Sequence, residues 1–376
     1  MFGLIPPVGE PIICRRGGKL PAFPGYEARW VSSGTAALAM AMREARSLKI
    51  AVEEPEVVLP AYCCPDLVAA AIHAGLRPVL ADIGFDDPGY RLDDLESVIS
   101  ARTVAVVAVN FLGIAERLSE IRELLSRHGK IVLIEDSAQW YPGPRRALTG
   151  DYVCLSFGRG KPVSVLTGGA MLRSAGLRST SEVDGVECPL PSGKGRGSWE
   201  VWLYNALLRP ALYRLINVIP GTGLGSTTFK ELGAIRGFPR GRLGLVPANV
   251  DAYLERSRVG ETKLSRAICG LSGVVDLRLA LASRADRLLR FPLLLPCAES
   301  RDAAMRELVR HGVGATRLYG RPLPTISGVA PLVRSGEMSG ARQFAERLLT
   351  LPIRAGRSDG AVDAIRRVLS RVVNGD

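Results

Sequence analysis

The chain has 376 residues, 47% of them hydrophobic and 23% charged, with a net charge of +12. That length and apolar content support a large buried core and point to one large domain with a smaller companion. The basic residues are scattered along the whole sequence and aromatic residues are only 6%, so the chain offers no stacking platform for nucleic acid and reads as a basic enzyme surface compatible with an anionic substrate.

Seven cysteines contain no CxxC pair and the three histidines lie far apart. This excludes a metal site by spacing and favours reduced thiols in a cytoplasmic protein. Residues 1–13 are broken by Pro6, Pro7 and Pro11 and do not read as a signal peptide, and no apolar run is long enough to span a bilayer.

In chain order, residues 1–30 are proline- and glycine-rich and are expected to be irregular. Ala36 to Ala45 reads as a buried helix capped by Ser32, Ser33 or Thr35. Strands are then expected at 56–60, 77–83, 103–109, 130–134, 152–157 and 167–173. Helices are expected at 65–74, 92–100 and 115–127. Short apolar strands alternating with helices predict an α/β fold whose mostly parallel sheet is covered on both faces.

The stretch 175–198 is polar and glycine-rich and reads as a loop. Residues 201–219 are apolar around Arg209, Pro210 and Arg214, which predicts a pair of short helices. One long helix over 249–268 is expected to join a large domain, 1–247, to a smaller C-terminal α+β domain, 248–376. In that second domain 290–296 reads as a strand and 301–311 as a helix.

The chemistry concentrates in three places. Ser33-Gly34-Thr35-Ala36 opens a buried helix, whose free amides and dipole suit a phosphate. Ile134-Glu135-Asp136-Ser137-Ala138-Gln139 sets a carboxylate just beyond a strand, where ligands of open α/β sheets bind. Glu135 is the competing carboxylate, but neighbours in an extended segment face opposite ways. Ser156-Phe-Gly-Arg-Gly-Lys161 adds a hydroxyl and an amine in a glycine-rich turn.

This order suits pyridoxal 5′-phosphate (PLP). Lys161 can form a Schiff base with the aldehyde and shuttle a proton, Asp136 can keep the pyridine nitrogen protonated, and Ser156 can bind the phosphate. A nucleotide P-loop is excluded, because Leu155 stands where its first glycine belongs and Pro162 follows the lysine. Gly221-Thr-Gly-Leu-Gly225 reads as a turn, and Cys63-Cys64 as small buried thiols.

With Leu59-Pro-Ala-Tyr62, Ala74 to Asp82 and Gly168-Gly169, these segments resemble, in order and approximate spacing, the DegT/DnrJ/EryC1/StrS family of PLP-dependent nucleotide-sugar aminotransferases. The resemblance covers roughly the first two-thirds of the chain. It implies a fold-type I PLP-dependent transferase, usually a homodimer with a shared active site, that moves an amino group from an amino-acid donor, typically glutamate, to a nucleotide-sugar substrate. It assigns Lys161 and Asp136 to catalysis. Gly34, Thr35, Ala36 and Ser156 go to the phosphate and Gln139 to the ring. Cys64 stands where many members stack an aromatic residue, and Asn110-Phe-Leu-Gly113 replaces a histidine-containing segment. A lysine rather than a histidine at 161 points away from the family's dehydratases. The alternatives are a transaminase for another carbonyl acceptor and an inactive PLP-binding regulator or scaffold.

Overall fold

The computed structural model describes residues 4–6, 8–143, 147–177, 198–213 and 227–374. Seven strands form one sheet: β1 (Tyr26–Val31), β2 (Glu56–Pro60), β3 (Arg77–Ala81), β4 (Thr103–Val109), β5 (Val132–Asp136), β6 (Tyr152–Ser156) and β7 (Gly169–Ser174). Their order is β1-β7-β6-β5-β4-β2-β3, with β3, β2, β4, β5 and β6 mutually parallel and β7 antiparallel to both its neighbours. β2 and β5 are buried at every position. Their continuous apolar runs follow from having a covered layer on both faces.

α1 (Gly34–Ser47) lies on the sheet with almost every alanine, leucine and methionine buried. Its cap is Ser33, whose Oγ accepts from the Ala36 amide at 3.0 Å. α2 (Asp66–His73), α3 (Leu92–Val98) and α4 (Leu118–Ser126) follow in the crossovers. β1 was not expected. The proline and glycine density up to Gly25 conceals a six-residue edge strand that pairs in register with β7.

After β7 come α5 (Ser198–Leu207), α6 (Arg240–Leu243), α7 (Val246–Glu255) and α8 (Val259–Ile268). The single helix expected over 249–268 is therefore two. The chain breaks where Arg256 takes extended backbone, the Ser257 hydroxyl accepts from the Val259 amide at 3.2 Å, and Arg258 turns back onto Glu261. Of the helix pair expected over 201–219, α5 and a second start at Pro210 are described, and residues 214–219 lie outside the described residues. Most of the 175–198 loop and the Gly221–Gly225 turn also lie outside them.

A three-stranded antiparallel sheet, β8 (Val275–Asp276), β9 (Phe291–Leu294) and β10 (Leu348–Leu351), ordered β10-β9-β8, is packed by α9 (Leu277–Ala280), α10 (Ala298–Arg310), α11 (Ser339–Arg347) and α12 (Asp359–Asn374). One apolar core runs from Val31 in the large sheet to Leu369 in α12. The N-terminal segment is tied across this arrangement: the Ile5 amide bonds the Gly312 carbonyl at 2.9 Å, and Ile12 and Ile13 bond the side chains of Asn205 and Asn249. Among the described residues no helix is long and apolar enough to cross a membrane, and no three metal-binding side chains cluster.

Candidate active site

β5 and β6 are parallel neighbours, so Asp136 and Ser156 end them at the same edge of the sheet. Asp136 is thus the last residue of its strand rather than one beyond it, because β5 starts and ends two residues later than its apolar run suggests. α1 begins at that edge, joined to the sheet by a bridge between Ser33 and Gly168. Gly34 fits directly against β6, and a Cβ there would lie 2.7 Å from the Ser156 Cβ. Only glycine lets the helix terminus approach this closely.

Beyond Ser156 the chain reverses. The Lys161 amide donates to the Gly158 carbonyl at 3.2 Å, and Gly160 holds φ +72° with Val8 against it. The turn carries Lys161 back to Asp136 and Cys64, where its field opposes the upward shift of both groups.

Asp136 is only 4% exposed. Its Oδ1 accepts from the Ala138 amide at 2.9 Å, while no described donor bonds Oδ2. Burial pushes this carboxyl up to about 6, against the pull of the Ala138 amide and Lys161. The surroundings explain why. Cys154 pairs across from it on β6, and the thiols of Cys63 and Cys154 are pushed well above the ordinary range by burial. Cys64 is pushed up to about 12 by burial and then by Asp66. These are neutral, weakly polar neighbours rather than nucleophiles.

Glu135 faces the other way. Its Oε1 takes Asn110 Nδ2 at 2.9 Å and Ser137 Oγ at 3.2 Å, and its Oε2 takes the amides of Thr149 and Gly150, both at 3.3 Å. With both oxygens engaged in holding the loop before β6, Glu135 no longer competes with Asp136 for a ligand. Asn110 belongs to the same buried network and also accepts from the Glu116 amide at 3.1 Å.

Gln139 Oε1 accepts from the Leu112 amide at 2.9 Å, and its Nε2 donates to Tyr319 Oη. The Tyr319 ring packs edge-on to Tyr62 at 5.4 Å. Burial pushes its phenol well up, with the fields of Cys64, Cys63 and Asp136 adding to the shift. Tyr319 is the site residue that sequence reasoning missed. It lies 180 positions from Gln139, too far along the chain for local spacing to pair the two.

At the phosphate end two of the expected donors have partners within the protein. The Ala36 amide is already taken by Ser33 Oγ, so it is not a free donor. The Thr35 hydroxyl donates to Asp66 Oδ2 at 3.1 Å, because the first turn of α2 faces that of α1. What remains is the first-turn backbone of α1 at Gly34 and Thr35, and Ser156 Oγ. The amine, the buried carboxylate with a free oxygen, and the glycine-tight contact of α1 with β6 fit PLP, whereas Asp66, bonded to Thr35, is a group of unfavourable charge.

A mostly parallel seven-stranded sheet with this lysine and carboxylate at its carboxyl edge has the fold of the fold-type I PLP-dependent transferases. The structure of Spr1654 from Streptococcus pneumoniae in its PLP-form matches with a TM-score of 0.67 and 19% identity, over 93% of this chain and 87% of that one. Residues 26–177 match the DegT/DnrJ/EryC1/StrS aminotransferase family, and the resemblance read from the motifs is borne out. Among curated relatives, the UDP-N-acetyl-3-dehydro-alpha-D-glucosamine 3-aminotransferase of Acidithiobacillus ferrooxidans is 28% identical over 182 residues, 47% of this chain and 46% of its own. The GDP-perosamine synthase of Vibrio cholerae is 30% identical over 151 residues, 39% of this chain and 40% of its own. The chain thus spans less than half the length of these curated relatives.

Proposed function

We propose that the chain is a PLP-dependent aminotransferase that transfers an amino group from glutamate to a nucleotide-linked keto-sugar, in polysaccharide or glycoconjugate synthesis. The observation that carries this reading is a buried Asp136 with an uncommitted oxygen, close enough to Lys161 for the lysine's charge to act on it. The relatives' names, which include a UDP-sugar aminotransferase and a GDP-sugar synthase, support the acceptor class. The same reading includes a division near residue 247, a cytoplasmic location and a homodimer.

Bound PLP supplies an electron sink for the carbanion left when an α-proton departs. Asp136, with Oδ2 left free, would hold the pyridine nitrogen protonated, and a cation there would favour the ionised carboxylate that burial opposes. Gln139, fixed by Leu112 and Tyr319, keeps the ring edge in place. The Ser156 hydroxyl and the start of α1 hold the phosphate. With the cofactor bound, Lys161 Nζ would be the base that takes the α-proton and the acid that gives it to the cofactor carbon, reached through the flexible stem that the Gly158–Lys161 turn leaves free.

An absorbance spectrum of the protein with PLP, before and after glutamate, tests this. A visible-to-near-ultraviolet band that shifts on glutamate is expected. No band at all would overturn the reading and favour the scaffold, and a band that no amino acid shifts would remove the aminotransferase assignment.

Asp66 yields a separate expectation. Its carboxylate bonds Thr35 at the phosphate end, where a negative charge opposes an anion by about 1 kcal/mol at partly solvated range. Asp66→Ser is expected to tighten PLP binding about fivefold in a fluorescence titration. Unchanged or weaker binding would mean that the Thr35–Asp66 bond orients the cradle instead.

A further inference from the structure

On α5 and the residue after it, Val201, Tyr204, Asn205 and Leu208 follow at i, i+3, i+4 and i+7 and form one stripe, which faces inward. Val201 and Leu208 are buried, Tyr204 and Leu208 close on Gly9, and Asn205 exchanges two hydrogen bonds with the Ile12 backbone, at 2.8 and 2.9 Å. The Leu4 amide fixes the next turn through the Pro210 carbonyl at 2.9 Å. Held this way, the helix cannot roll its other face inward. That face carries Trp199, Trp202 and Leu203, and Leu212 follows beyond Pro210. They are 64%, 70%, 40% and 37% exposed, whereas Trp30 and Trp140 are buried. A groove of about 370 Å³ runs beside this face, walled by Leu166, Trp199, Leu203 and Leu207 together with Arg159 and Arg242.

We propose that this face is a peripheral membrane contact, seated on a bilayer surface that carries anionic lipid. A water-exposed helix ordinarily turns charged and polar side chains outward. Two exposed tryptophans beside two leucines instead make the apolar patch that interfacial helices bury at headgroup level. The charge around it fits an anionic surface. Glu200, the acid of α5, is tied to Arg242. From Val201 to Lys230 the sequence has no Asp or Glu, and Arg159 and Arg209 are exposed. A second copy docked face to face would bring the same bases and the same paired Glu200, in a chain whose net charge is +12. Anionic headgroups supply the missing counter-charge. α5 has 10 residues, about 15 Å of helix against the roughly 30 Å of a bilayer core, so it lies along the surface and does not cross it.

The test is flotation of the full chain, saturated with PLP, with vesicles of phosphatidylglycerol and phosphatidylcholine in equal parts, and separately with phosphatidylcholine alone. Binding to the anionic vesicles is expected, about tenfold weaker on the neutral ones and falling as salt is added. Trp199→Ser combined with Trp202→Ser should weaken it about tenfold or more, and Arg209→Gln about threefold. Brominated lipid should quench tryptophan emission in wild type and leave that of the double variant, which comes from buried Trp30 and Trp140, unchanged. Both substituted side chains stand mostly in water, so the double variant folds, and its melting temperature checks this. No flotation with anionic vesicles, equal flotation with neutral ones, or indifference to the double substitution would overturn the contact. An oligomer that dissociates in the double variant while vesicle binding persists would give the face to a second copy instead. Flotation reports on α5 and the cofactor band on Lys161, so neither result decides the other.

Discussion

Asp136→Asn is expected to stabilise the cofactor-free protein at pH 8 while cutting turnover by about 100-fold or more. The carboxyl is raised from 3.8 to about 6, chiefly by burial. Below pH 3.8 it is protonated in folded and unfolded chains alike, and no penalty exists. Between 3.8 and about 6 the unfolded chain ionises first, so stability falls as pH rises. Above 6 the whole penalty is present, on the order of 3 kcal/mol at about 1.4 kcal/mol per pH unit. The asparagine carries none of it, and its Oδ1 can still accept from Ala138. Thermal melts at pH 3.5 and pH 8 check this: the variant should melt with wild type at the lower pH and several degrees higher at the upper. A wild type as stable as the variant at pH 8 would mean that Asp136 is solvated and unsuited to hold a pyridinium. With PLP bound, the advantage should shrink or reverse, because the cofactor then stabilises the charged form in wild type alone. Such a reversal is the stability–activity conflict expected of a functional carboxylate.

Lys161→Ala is expected to reduce turnover by roughly 10⁴-fold, the upper range for loss of a general acid–base group, and to end covalent capture of the cofactor. Lys161 is the lysine on the walls of a cleft that also holds Glu10, Arg256, Arg287 and Arg354. Borohydride treatment followed by peptide mapping should place the label on the peptide containing Lys161 in wild type and nowhere in the variant. A label on another lysine, or retained turnover, would reject the role. The fold should survive, because the turn is held by the Lys161 amide on the Gly158 carbonyl and by Gly160 at positive φ, neither of which needs the side chain.

Much of the site was legible because its parts are local. A glycine at the start of α1, a carboxylate at the end of a buried strand, and a lysine in a glycine turn each follow from backbone rules acting over a few residues. The parallel strands β2, β4, β5 and β6 announced themselves as short apolar runs. The failures were also local in cause. β1 was hidden by the prolines before it, and the 249–268 helix shows helical charge spacing throughout although Arg258 is drawn off by Glu261 and Asp286.

By itself, then, the sequence determined the layered α/β architecture and the cofactor class its motifs suit, and it singled out Lys161 and Asp136 as the proposed amine and carboxylate, because periodicity and turn chemistry are written in neighbouring residues. Only the tertiary structure decided which carboxylate is free, by engaging both oxygens of Glu135 and one of Asp136. It also turned the Thr35 hydroxyl to Asp66, brought Tyr319 to Gln139, and gathered Arg256, Arg287, Arg354 and Glu10 beside Lys161. Those pairings join residues tens to hundreds of positions apart, and burial and field depend on distance in space rather than along the chain.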